Sequence, residues 1–335
     1  MDELNTLQEK KSKRKLALLG LLFLFILLGW GAVKLGLAYN TIEVNTAKEN
    51  GFWNRVATIL TFSQAQEEPT PTPEENRTDI LVLGMRGLDD PDAEQGGLLT
   101  DTILLFSHNK QTNKSAIVSI PRDLYINIGG KMDKANTGYE KGLAKKDGLG
   151  YSRRIFSNLT GVHIDNVVVF DFSSFKTIID DLGGIDIHLE KPFEENDQWG
   201  NSFYIPAGEN HLNGETALYY VRSRYSTNDF DRSRRQQQVI MAIKDKVMKL
   251  NYISDPIKTL EIINSIRKNI TTDLNIFDSK TIINLAKQVN NSQPAQFVMS
   301  TENLLYQSIE NKVYILLPKG DDYGDIRKMF KEIVE

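Results

Sequence analysis

The 335-residue sequence has no cysteine, which excludes disulfides, thiolate metal sites and a cysteine nucleophile. Histidine is nearly as scarce. His108, His163, His188 and His211 are the only four, and no two stand at helical ligand spacing, so neither a zinc site nor a Ser-His-Asp triad has support. Positive charge is not in excess either. A formal net charge of −4 is the wrong footprint for general nucleic-acid binding, so any anion site must be local, built from clustered arginines. No internal repeat is present. A large domain without disulfides must be held by burial alone, which a chain of this size can supply.

One feature is abundant near the N-terminus. Residues 16–33 read LALLGLLFLFILLGWGAV without a charge, and about 18 to 20 such residues cross a bilayer as a helix. Lys10, Lys11, Lys13, Arg14 and Lys15 precede the run and only Lys34 follows it. That asymmetry predicts a cytoplasmic basic tail (1–15), a single-pass transmembrane anchor (16–38) and an extracellular remainder of the chain. A cleaved signal peptide would carry an apolar core of only about 7 to 15 residues followed by an A-x-A site. A buried core helix would rarely be apolar all round beside a basic cluster. In residues 39–62, Trp53, Val56, Ile59 and Leu60 recur at helical spacing, as in an amphipathic juxtamembrane segment. The Pro- and Glu-rich stretch 63–78 reads as an extended linker.

From Asp79 to the C-terminus the pattern is that of one α/β domain (79–335). Short β-branched runs at 79–85, 102–108, 115–120, 167–172, 185–189, 297–301 and 313–318 read as strands. Helical periodicity appears after 172 and at 213–221, 231–250, 256–268, 278–289 and 322–334. The expected fold class is α/β: a mixed central sheet with helices packed on its faces, preceded by one N-terminal transmembrane helix.

Two acids lie at strand edges. If 102–108 and 115–120 pair as a hairpin, Asp101 and Asp123 become neighbours at the end opposite the turn. Such a pair suits Mg2+, a hard cation that takes oxygen ligands; alternatively each acid simply caps a turn, as most strand-edge aspartates do. Arg122 adjoins Asp123, and Arg222 and Arg224 in YYVRSRY stand two apart, so an extended segment would aim both the same way. At 100° per residue, the apolar stripe Val239, Ile240, Ile243, Val247 and Leu250 projects back through Gln236, Arg235 and Arg232, and leaves Arg234 and Gln238 on the opposite side. Inward guanidinium groups require an anion. Asp229 and Asp231 could supply it from within, or a phosphorylated ligand could supply it from outside.

In chain order, TDILVLG, TDTILLF, SIPRD, DKANTGYEKG, IDNVVVFDFSSFKTIIDDLGGIDIHL, HLNGETALYYVRSR and DFDRSRRQQQ resemble the blocks of the LytR-CpsA-Psr family of bacterial cell-envelope proteins. The resemblance covers the anchor and about residues 79–250; residues 251–335 carry no matching block. It implies a membrane enzyme that moves a glycopolymer, such as a teichoic acid or capsule, from a polyprenyl-pyrophosphate carrier to peptidoglycan, forming a phosphodiester. By position it implies catalytic roles for Asp101, Arg122, Asp123, Arg222 and Arg224, with Asp101 and Asp123 associated with Mg2+. Arg232, Arg235 and Gln236 would join the grip on the lipid pyrophosphate, and Lys134 would precede the apolar cavity for the lipid tail. The run LLT before Asp101 departs from the family's usual polar pair. Two rival readings share these residues: a lipid pyrophosphate hydrolase, and a non-catalytic regulator that binds polyprenyl phosphate.

Overall fold

The computed structural model describes residues 70–196, 198, 200, 202–249, 268–274, 293–310 and 312–335. The expected anchor and juxtamembrane segment lie outside these residues, as do most of the helical patterns at 256–268 and 278–289. No helix among the described residues is long and apolar enough to cross a membrane.

The domain begins at β1 (Arg77–Met85), which continues into β2 (Thr100–Asn109) and β3 (Lys114–Ser119) as an antiparallel meander. The expected hairpin is present in the expected register, with Leu104 opposite Ser119 and Ile120 N donating to Ile103 O at 2.9 Å. A small hairpin, β4 (Tyr125–Ile128) and β5 (Lys131–Lys134), precedes helices α1 (Gly138–Ala144) and α2 (Gly148–Thr160). Then β6 (Asn166–Asp171) runs into α3 (Phe172–Asp181) and on to β7 (Ile185–Leu189). The short hairpin β8 (Phe193–Glu195) and β9 (Phe203–Ile205) follows, and β10 (Gly208–Leu212) pairs with β7. After α4 (Gly214–Arg222) and α5 (Asp229–Lys249) come β11 (Ile270–Thr272) and β12 (Ala295–Val298). The hairpin β13 (Leu305–Glu310) and β14 (Val313–Pro318) and helix α6 (Gly324–Glu332) close the chain.

The central sheet has six strands in the order β11-β6-β1-β2-β3-β12. β6 is parallel to β1 and β12 to β3, whereas β11 is antiparallel to β6. The sheet is therefore mixed, and β1, β3, β6 and β12 all run the same way. Side chains alternate between two buried faces. Ile80, Val82, Leu104 and Phe106 meet α3, α4 and α5 on one side. Leu81, Leu83, Ile103 and Leu105 meet Phe156 of α2 and Ile326 and Phe330 of α6 on the other. Two-sided burial is why these strands read as continuous apolar runs rather than alternating ones.

Local chemistry starts helices α3, α4 and α5. The Asp171 carboxylate accepts from Ser174 N at 2.8 Å at the start of α3, and Asn213 Oδ1 accepts from Thr216 N at 2.8 Å at the start of α4. Asn228 Oδ1 accepts from Phe230 N and Asp231 N, both at 2.9 Å, before α5. These side-chain oxygens satisfy donors that the first helical turn leaves open. In one respect the local reading differs: Arg222 is the last residue of α4 rather than part of an extended segment. The end of the presumed linker also lies against the domain, with Pro71 O facing His163 Nδ1 at 3.1 Å and Lys110 Nζ donating to Glu75 O at 2.8 Å.

Candidate functional site

Four parallel strands finish at one edge of the sheet, and β2 starts there. The carboxyl ends of strands in open α/β sheets are the usual place for ligands. Here that edge gathers charge. Asp101 is the second residue of β2, Arg122 and Asp123 follow β3, Arg86 follows β1, and Thr301 and Glu302 lie just beyond β12. Helix α5 then lays its first turns across the same edge.

Two clefts meet there. The first is an open cleft of about 200 Å³. One wall is cationic, made by Arg86, Arg122, Arg222, Arg224 and Arg232; the other is apolar, with Leu99, Phe170, Phe172, Phe175, Leu218 and Ile240. The guanidinium of Arg222 lies 4.4 Å from the Phe172 ring centroid, so the two walls touch through a cation–π contact. The second cleft, about 400 Å³, opens toward the opposite face of the sheet and is lined by Asp123, Asp229, Glu302, Gln307 and Tyr314 among others. Asp101, Arg122, Arg232 and Gln236 line both.

At the junction, Arg122 sits among three carboxylates. Its Nη1 donates to Asp101 Oδ1 at 2.8 Å, and its Nε is 3.4 Å from both Asp123 Oδ2 and Asp229 Oδ2. Neither of the longer approaches is a hydrogen bond, and this buried Nε has no bonded partner among the described residues. Burial disfavours the Arg122 charge, but Asp101, Asp123 and Asp229 more than offset it and raise its pKa. The opposite holds for Arg232, which is 6% exposed. Burial lowers its pKa, Asp229 offsets that in part, and Arg122 and Arg224 push it down further. Its contact with Asp229 is long, 3.4 Å, and its buried Nε also lacks a hydrogen bond among the described residues. Arg222 is lowered too, by burial first and then by Arg86. Several cations are thus held close together in a partly desolvated cleft, an arrangement that a polyanion would relieve.

The predicted pair of acids is brought together, but with Arg122 between them. Asp123 is also met by Lys134, whose Nζ lies 2.5 Å from Oδ1. Both Asp123 oxygens therefore face cations, and that carboxylate does not fit a metal ligand in this arrangement. Asp101, partly exposed and lining both clefts, fits a Mg2+ bound mainly by water and phosphate oxygens, which needs only one or two protein carboxylates. Among the described residues no cluster of three or more acids and histidines could hold a metal alone. Lys134 meets the junction through Asp123 and is not among the residues that line the apolar wall.

Arg235 is inward, as the helical projection requires, but it serves α4 instead of the cleft. A helix leaves its last carbonyls without partners, and here α5 provides them. Arg235 Nε donates to Tyr220 O at 2.9 Å, its Nη2 donates to Ser223 O, and its Nη1 donates to Thr227 Oγ1 at 3.1 Å. Burial lowers its pKa to about 10, and its guanidinium packs 4.7 Å from the Phe193 ring centroid. Gln236 Nε2 reaches Val221 O at 3.5 Å while also lining both clefts. A cation at a helix C-terminus is favoured by the helix dipole as well.

Several side chains that shape the site carry little signal in the sequence. Gln198 clamps the arginine loop, with Oε1 accepting from Arg224 N at 2.7 Å and Nε2 donating to Arg222 O at 3.3 Å. Glu195, fully buried, accepts at Oε2 from Tyr225 N and Ser226 N at 3.0 and 3.1 Å. Both sit in a stretch, EENDQ, that looks like a solvated acidic run. Arg86 and Phe172 had a usable signal, since each immediately follows a strong strand.

The LytR_cpsA_psr family description matches residues 46–332. The polyisoprenyl-teichoic acid–peptidoglycan teichoic acid transferase TagU of Bacillus subtilis (strain 168) is 32% identical over 281 residues, 81% of this chain and 83% of that protein. TagU of Enterococcus faecalis (strain ATCC 700802 / V583) is 32% identical over 207 residues, 61% of this chain and 63% of its own length. The crystal structure of Bacillus subtilis TagV shares the fold with a TM-score of 0.60 at 23% identity, covering 78% of this chain and 98% of that one.

Proposed function

The chain belongs to the LytR-CpsA-Psr family, and from that premise we propose that it is a membrane-anchored phosphotransferase. It moves a glycopolymer from a polyprenyl-pyrophosphate carrier to peptidoglycan and leaves a phosphodiester. The carrying observation is a cleft in which five arginines, including a buried Arg232 with an unbonded Nε, face an apolar wall. A diphosphate on an isoprenoid tail has that same division of chemistry. The relatives' activity supports the reading, and the apolar run at 16–33 supports a single-pass anchor with the N-terminus in the cytoplasm.

In this reading the lipid tail lies along Phe170, Phe172 and Phe175, and the diphosphate is held by Arg122, Arg222, Arg224 and Arg232. A hydroxyl of the acceptor attacks the phosphorus linked to the glycopolymer. The bond from that phosphorus to the bridging oxygen breaks, polyprenyl monophosphate leaves, and the hydroxyl proton passes to an aspartate of the junction. Arg122 and Arg232 stabilise charge developing on the bridging and non-bridging oxygens, so the protein contributes mainly position and field. Asp101 would hold Mg2+ against the phosphates, where the ion supplies charge neutralisation. Gln198 and Glu195 keep the Arg222–Arg224 loop in place.

The test uses the full-length protein in detergent with a lipid-linked polymer, with and without peptidoglycan. Polymer should become covalently attached to peptidoglycan with release of polyprenyl monophosphate. Release at the same rate without peptidoglycan, and no attachment with it, identifies a hydrolase. Tight binding of polyprenyl phosphate with no turnover under either condition identifies a binder.

A further inference from the structure

The reaction proposed above accounts for the first cleft and leaves the second unassigned. Geometry assigns it a partner. In an in-line displacement at phosphorus the attacking oxygen approaches opposite the leaving oxygen. With the isoprenoid phosphate in the apolar cleft, the attacking group must arrive from the other side of Arg122 and Arg232. That side is the second cleft, which shares those two arginines and Asp101 with the first.

Its outer wall is the β13–β14 hairpin. Gln307 pairs with Leu316 and Ile309 with Tyr314. Directly paired residues project to the same face of a two-stranded sheet, and so do residues two apart. Gln307, Ile309, Tyr314 and Leu316 thus form one face, and three of the four line the cleft. The hairpin is tied to the reaction centre through its backbone: Leu316 N donates to Asp123 O at 2.9 Å, and Leu316 bridges Leu124. Tyr314 is therefore held two residues from an anchor on the Arg122–Asp123 segment itself. Outward, the same face continues beyond the cavity, with Tyr314 43% and Ile309 74% exposed. An aromatic ring with an apolar neighbour, set among the Gln307 amide and the Asp229 and Glu302 carboxylates, offers stacking surface and hydrogen-bonding groups together. That combination matches a sugar ring, apolar on its C–H faces and hydroxylated at its edge. The open-ended strip suits a chain of such rings better than a single one.

We propose that the second cleft and the Gln307–Tyr314 face of the β13–β14 hairpin bind the acceptor, a carbohydrate polymer that presents a free hydroxyl to the junction at Arg122. This rests on the phosphotransferase reading for the chemistry, but binding can be measured without turnover. Tyr314 and Gln307 are exposed, so truncating either leaves the core intact.

The experiment compares full-length wild type with Tyr314→Ala, Gln307→Ala and Tyr314→Phe. One arm measures binding of soluble peptidoglycan glycan strands, a second measures binding of farnesyl pyrophosphate, and a third measures transfer kinetics. Removing the Tyr314 side chain should weaken strand binding and raise the acceptor KM by about tenfold, the order expected for an aromatic anchor. Gln307→Ala should act in the same direction with a smaller effect, and Tyr314→Phe, which keeps the ring, should retain most of the binding. Farnesyl pyrophosphate binding should not change. Strand binding unaltered in both alanine variants would overturn the proposal. So would a rise in the donor KM without one in the acceptor KM, which would assign the cleft to the donor's own glycan. Weakened strand binding in a protein that shows no transfer would keep the acceptor site and refute the phosphotransferase reading instead.

Discussion

The two ends of the central sheet handle buried charge in opposite ways. At the end where β1 begins and β2 finishes, Arg77 is 7% exposed and fully occupied. Its Nε and Nη2 donate to the two Asp79 oxygens at 2.6 and 3.0 Å, Nη2 also donates to Ser107 Oγ at 3.2 Å and Phe330 O at 2.7 Å, and Nη1 donates to Lys331 O at 3.2 Å. At the other end Arg232 is as deeply placed and Arg122 is half-buried, yet each keeps a buried Nε without a hydrogen bond among the described residues. A saturated guanidinium pins α6 to the sheet. An unsaturated one stores an unmet interaction for something that arrives later. Arg235 shows that the distinction is not one of location. It lies at the site end, one turn from Arg232, and its donors are spent on the terminal carbonyls of α4.

Substitution should separate the two ends cleanly. The largest effect is expected at the saturated end. Arg77→Met leaves Asp79 buried and unpaired and frees two carbonyls near the end of α6, which should destabilise the fold by about 3 to 5 kcal/mol. Denaturant titration would read this as a lowered midpoint, and a loss under about 1 kcal/mol would erase the contrast. Arg232→Met should behave inversely. Its stability should stay within about 1 kcal/mol of wild type, while polymer transfer falls about 100- to 1000-fold, the range for losing one preorganised charge contact to a transition state. A destabilised but catalytically normal Arg232→Met would place that arginine with Arg77.

Much of this geometry was legible because it depends on short-range periodicity. The opposition of Asp101 and Arg122 follows from two strands joined by a short polar turn, since the register of such a hairpin is strongly constrained. The inward aim of Arg232, Arg235 and Gln236 follows from 3.6 residues per turn. What periodicity could not supply was the partner each group meets. That Arg122 would stand between Asp101 and Asp123, with Asp123 also an ion-pair acceptor for Lys134, depends on side-chain reach across the strand end and on Lys134 arriving from β5. That Arg235 would cap α4 depends on the helix running through to Arg222, where YYVRSRY by itself reads as extended. Of the β13–β14 hairpin only β14 was legible as a strand. It packs on a segment almost 200 residues earlier, and β13 has too few apolar positions to announce itself.

The smallest effect sharpens the contrast by pH. His108 lies at the saturated end, 1% exposed, with Nδ1 2.8 Å from Ser115 Oγ. Burial lowers its pKa below the ordinary 6.5, and Lys110 lowers it further. The folded chain therefore keeps a neutral imidazole where the unfolded chain would bind a proton. Above the unfolded value neither state is protonated and the residue adds no pH dependence. As pH falls through that value the unfolded state gains a proton that the folded state refuses, so stability declines until the folded pKa is reached, by at most about 1.4 kcal/mol per pH unit. His108→Gln removes this component. Between about pH 7.5 and pH 5.5, wild type should lose more stability than the variant, while farnesyl pyrophosphate binding, measured where both remain folded, should respond equally in the two. Parallel stability losses would mean that His108 titrates alike in both states and that burial at this end does not control its proton. A change in ligand binding confined to the variant would mean that the two ends of the sheet are coupled, and the division of labour between them would have to be given up.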